Sequence, residues 1–75
     1  RERALSNQIS ELNDQIDQLT GQIANSETVL AAMQQDGAME EARMLETALQ
    51  RMRSNVESLR DQQRELSRIQ TAILA

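Results

Sequence analysis

The sequence predicts an all-α fold: an antiparallel coiled-coil helical hairpin of two long helices joined by a tight Asp36-Gly37 turn. Three observations predict it. Apolar residues recur in alternating steps of four and three, the mark of a helix with one apolar stripe. The phase of that stripe breaks between Gln34 and Ala38, where Asp36-Gly37 supplies turn chemistry. The chain has no Pro, no Cys and no aromatic residue, and with 27% charge it lacks the bulk for a conventional globular core.

The first helix is expected over about 2–35. Its stripe runs through Leu5, Ile9, Leu12, Ile16, Leu19, Ile23, Leu30 and Met33, with Ser26 in one slot. Taking Ile9, Ile16 and Ile23 as heptad position a makes Leu5, Leu12 and Leu19 position d. Gly21 then falls at f, on the outer face, where a helical glycine costs about 1 kcal/mol against alanine.

The turn is expected at about 36–37, because the next a position would fall on Gly37 whereas the second stripe starts at Ala42. That slip of five is not one of the single insertions, of three or four, that a continuous coiled coil absorbs. Glycine ends a helix in the left-handed conformation without a Cβ clash, and Asp is at home beside it.

The second helix is expected over about 38–74, with its stripe at Ala42, Leu45, Leu49, Met52, Val56, Leu59 and Leu66, with Gln63 and Gln70 in two a slots and Ile73 in the final d slot. Folding the chain back between Gly37 and Ala38 sets a against d so that the residue numbers in every layer add to 75. Leu30 then faces Leu45, Ser26 faces Leu49, Leu19 faces Val56 and Ile16 faces Leu59. Toward the open end Leu12 faces Gln63 and Leu5 faces Gln70, so an amide is expected against an apolar side chain and this half is expected to be the weaker. Glu40 and Glu41 fall in the first turn of the second helix, where negative charge suits the exposed amides, and Arg64 and Arg68 lie toward its carboxyl end.

Composition excludes several functions. There is no His or Cys to act as nucleophile, base or soft metal ligand, and no Gly-rich phosphate loop, so the chain is not expected to be an enzyme. No catalytic, cofactor-binding or metal-binding residue is assigned. The net charge of −4 argues against duplex DNA, and Glu57, Asp61 and Glu65 interrupt the arginines Arg51, Arg53, Arg60, Arg64 and Arg68. Intrahelical pairs are expected instead, Arg53 with Glu57, Asp61 with Arg64 and Glu65 with Arg68. No apolar run approaches the roughly 18 residues of a membrane span. Absence of Cys fits a reducing compartment and an extracellular rod equally.

Protein partners are the expectation that is left. The flanks of the stripe are largely uncharged, with Gln8, Gln15, Gln22, Asn55 and Gln62 at g and Ser6, Asn13, Thr20 and Ser67 at e, so covalent closure through the turn rather than charge selects the pairing. Val29, Met39, Met44, Ile69 and Leu74 lie off the main stripe and form the candidate interaction surface, by which two hairpins would pair into a four-helix bundle or one would dock on a partner. The chain opens on Arg1 and stops just after Ile73-Leu74, so it is read as an excised segment that a larger protein projects as an arm or stalk. The expected function is a structural module for protein–protein interaction or oligomerisation, with partners in the rest of the parent protein or in a second copy. A parallel homodimeric rod, or an assembly scaffold, is the alternative architecture.

In its hairpin shape and in the three acids Asp36, Glu40 and Glu41, the chain resembles the coiled-coil finger of the transcript-cleavage factors of bacterial RNA polymerase. That resemblance implies an acidic tip that helps to hold a catalytic magnesium ion and so regulates an enzyme. The basic and aromatic tip residues that would accompany it are missing here, and each acid already has a local reason to be acidic.

Overall fold

The computed structural model describes residues Glu2–Leu74, and side-chain surroundings from Arg3 onward. Two helices, α1 (Glu2–Gln35) and α2 (Met39–Leu74), pack side by side as a hairpin rod with extents of 56 × 14 × 14 Å. A 36-residue helix is about 54 Å long at 1.5 Å per residue, so α2 alone spans the rod.

The turn is a Schellman closure. Gly37 has a φ of +80°, the Ala38 N–H donates to the Met33 carbonyl at 2.9 Å, and the Gly37 N–H donates to the Gln34 carbonyl at 3.2 Å. These bonds satisfy carbonyls that the end of α1 would otherwise leave free. Ala38 also opens α2, since its carbonyl accepts from the Ala42 N–H at 2.9 Å. Alanine has no side-chain oxygen to cap the first amides of α2, and Glu40 and Glu41 in that first turn supply the favourable charge instead. At the other end, Arg64 and Arg68 stop short of the last turn of α2, which carries no basic residue among those described.

The seam follows the predicted layers. From Leu5 opposite Gln70 to Met33 opposite Ala42 every layer residue is buried or half-buried, whereas Ile73, expected in the final d slot, is 49% exposed at the open end. Away from the seam, only Ala38, Ala48 and Ser67 among the described side chains are half-buried, and the others are exposed. Leu49 is the deepest large side chain, 1% exposed, and sits opposite the small Ser26, which leaves it room. Ala42, also 1% exposed, keeps the helices close where the turn is shortest.

Two expectations about side chains need correction. The amides at the open end are not left without partners: Gln63 Nε2 donates to Asn13 Oδ1, and Gln70 Nε2 donates to Ser6 Oγ at 2.8 Å. Each glutamine leans out of its a slot to a polar residue at e on the facing helix, so its head stays near water while its stem covers the seam. Thr20 continues that row of e positions but faces Val56, which offers no donor, and its hydroxyl turns back to the Ile16 carbonyl at 2.6 Å. Arg53 does not pair with Glu57; it crosses the seam to Glu27 at 2.6 Å, because both occupy e positions at one level and carry opposite charge. The predicted pairs Asp61 with Arg64 and Glu65 with Arg68 are both present.

Candidate interaction surfaces

Closing the a/d seam leaves the hairpin two long flanks, one built from the e and b positions of both helices and one from the g and c positions. A groove lined by Thr20, Ile23, Arg53, Val56, Glu57 and Arg60 marks the first. This e/b flank is charged: it holds Arg3, Arg43, Arg53, Arg60 and Arg64 with Asp17, Glu27, Glu46 and Glu57. The Glu27–Arg53 pair lies on it, about half exposed on both sides, and Gln34 Nε2 donates to Glu46 Oε1 at 3.3 Å nearer the turn.

The g/c flank differs in kind. Its charged side chains, among those described, are Glu11, Glu41, Arg51 and Glu65, and the remainder are amides, Ser58, alanines and apolar residues. Gln8, Gln15 and Gln62 line an open groove of about 370 Å³ with Leu12 and Leu66 between them and Glu11 and Glu65 at its edges. The Arg68 guanidinium donates to Glu65 at 2.6 Å, and that hydrogen bond, then the arginine's charge, holds the Glu65 carboxyl below the ordinary glutamate value.

The five off-stripe residues divide between the flanks. Val29 at g, Met44 at c and Ile69 at g share the sparsely charged g/c flank, 48%, 69% and 39% exposed. Val29 and Met44 lie near the turn while Ile69 lies about 34 Å along the rod, so they form two apolar ends with amides between them. Met39 and Leu74 fall on the e side at opposite ends of the rod and do not join this group.

Asp36, Glu40 and Glu41 are exposed at the turn end. Among the described residues, no three acidic side chains come together as a group able to hold a metal ion. No described helix is long and apolar enough to cross a membrane.

The chain matches no protein-family model, no curated protein and no solved structure. What bears on function is therefore the surface of the rod itself. The amide groove and the Glu27–Arg53 pair are the features that reading the sequence by its seam alone misses. The layer rule carried outward finds both: facing e positions have numbers that add to 80, which pairs Glu27 with Arg53, and facing g positions have numbers that add to 70, which sets Gln8 beside Gln62.

Proposed function

We propose that this hairpin is a structural arm that works as a protein–protein interaction module, and that its amide-rich, sparsely charged g/c flank is the contact surface. The observation that carries the reading is the inequality of the two flanks. A rod that only needed solubility would benefit from charge on both sides, yet one side is amide and apolar along most of its length. Charged residues are depleted at the centres of protein interfaces, whereas neutral amides form hydrogen bonds there with less desolvation cost than ions.

Neither catalysis nor nucleic-acid binding is part of the reading. The chain has no His or Cys, and its excess of acid over base repels a phosphate backbone. Arginines of the charged flank are interleaved with carboxylates, one of which already holds Arg53.

A photo-crosslinking side chain placed at Gln15, and separately at Glu57, in the protein expressed in its source cells tests the proposal. Adducts are expected from Gln15 and not from Glu57. Equal yields from both positions, or adducts from Glu57 alone, would remove the g/c flank from the function.

A further inference from the structure

We infer that the partner on the amide-rich g/c flank is a second copy of this hairpin, stacked antiparallel so that the turn end of one rod lies over the open end of the other. This rests on the reading of that flank as a contact surface and adds the identity and direction of the occupant. A two-fold axis across the middle of the rod places α2 on α2 and α1 on α1, and in facing c positions of α2 the residue numbers then add to 116. Ser58 meets Ser58 on the axis, Arg51 meets Glu65 of the second copy, and Met44 meets Ala72 of the second copy. The neighbouring g positions bring Ile69 onto Ala48, one of the few half-buried residues outside the seam. On α1 the axis passes near Gln18, with Gln15 against Gln22 of the second copy.

Charge decides the direction. In the antiparallel stack the single arginine of the flank finds a carboxylate, and symmetry makes that pair twice. Arg51 takes no part in the three ion pairs found among the described residues. Glu65 is held by Arg68 on one side, and a carboxylate has lone pairs for a second donor. A parallel stack would instead put α1 over α2 at equal height, which sets Glu11 against Glu65 of the other copy twice over and concentrates four carboxylates at one level. The amides suit a copy of themselves, since each carries both donor and acceptor. A face of 56 by 14 Å offers about 800 Å² per partner, the size of a standard specific interface.

Sedimentation equilibrium on the 75-residue chain should give twice its 8.5 kDa mass. Arg51→Glu should weaken the dimer by about tenfold or more, because both symmetry-related pairs turn repulsive. Adding Glu65→Arg to that variant should restore dimerisation, while Glu57→Arg on the charged flank should leave it unchanged. Spin labels at Ser58→Cys should report one short distance between copies, and labels at Met44→Cys should lie about 40 Å apart. A chain that stays monomeric at millimolar concentration, a double variant that fails to dimerise, or short distances at both label sites would overturn the inference. A monomer whose Gln15 crosslinker still captures another protein in cells would overturn it while leaving the proposed function standing.

Discussion

Gln63 of α2 donates its side-chain amide to Asn13 of α1, across the seam and one residue out of its own layer. Seven residues further on, Gln70 does the same to Ser6. The repeat is that of the heptad, so these bonds form a short polar row along the edge of the open end. They answer the mismatch of an amide set against Leu12 and Leu5: the stem of each glutamine stays over the seam and the head leaves it.

Because Asn13 is exposed, losing its partner returns it to water at little cost, whereas leucine at 63 would place apolar surface over Leu12, which is only 9% exposed. Gln63→Leu should therefore raise stability by about 1 kcal/mol. Asn13→Ala should cost about 0.5 kcal/mol in the parent chain and nothing in the Gln63→Leu background. Urea denaturation of the four chains measures the coupling, and additive effects would mean that the hydrogen bond is not made in solution.

The two glycines should respond to alanine with opposite sign. Gly37 has a φ of +80°, where a Cβ is strained, so Gly37→Ala should lower stability by about 1 to 2 kcal/mol. Gly21 is in mid-helix with nothing within 4 Å of where a Cβ would stand, so Gly21→Ala should raise it by about 1 kcal/mol. Thermal unfolding followed by circular dichroism separates them, and equal shifts would contradict the turn geometry.

The stripe and its phase slip were enough to read the two helices, the turn and the layers from Leu5 with Gln70 to Met33 with Ala42, since burial in a coiled coil is periodic and one glycine fixes where the register folds. The side chains outside the seam were less legible. Arg53 has Glu57 one turn away on its own helix and Glu27 across the seam, and local spacing alone favours the former; only the geometry of facing e positions brings out the latter. Val29, Met44 and Ile69 read as scattered apolar residues until the closed seam puts them on one flank. Met39 and Leu74 read the same way in sequence, yet lie on the other side.

Glu65 should titrate below the ordinary glutamate value, because the Arg68 hydrogen bond and charge favour its ionised form. Its folded pKa is depressed, so its contribution to stability is present above the ordinary value of 4.5 and is lost as pH falls through the lowered one. Both side chains are largely exposed, so the effect should shrink with added salt. Carboxyl chemical shifts followed against pH should give a low midpoint that Arg68→Ala returns to the ordinary range; a midpoint indifferent to Arg68 would show that the pair is not formed.

The turn acids should behave as structural residues. Glu40 and Glu41 suit the amide end of α2, and Asp36 sits beside the glycine that closes α1. Titration with magnesium should show no saturable binding in the micromolar range. A site lost in Glu40→Gln would instead favour the finger that enters an enzyme's active site.

The fold-back should be made within one chain. The same layers would form between chains if the turn straightened and α1 of one molecule paired with α2 of another, so the seam by itself does not distinguish a hairpin from an exchanged dimer. The turn does. Its two closing bonds, from Ala38 to Met33 and from Gly37 to Gln34, exist only when the chain reverses at Gly37. A short connection also holds α2 beside α1 at an effective concentration in the millimolar range, well above that of a dilute sample. Ile9 and Leu66 share a layer near the open end, so energy transfer between probes at those two positions of one molecule should be high and constant over a thousandfold dilution. Mixing singly labelled chains should give transfer only to the extent that hairpins stack, and that part should vanish on dilution while the transfer within one doubly labelled chain stays. Gly37→Ala is the informative variant, because it weakens the closed turn and favours a helix that continues through it. Transfer that falls on dilution in the parent chain would place the seam between molecules, whereas transfer lost only in the variant would identify Gly37 as the residue that makes the fold intramolecular.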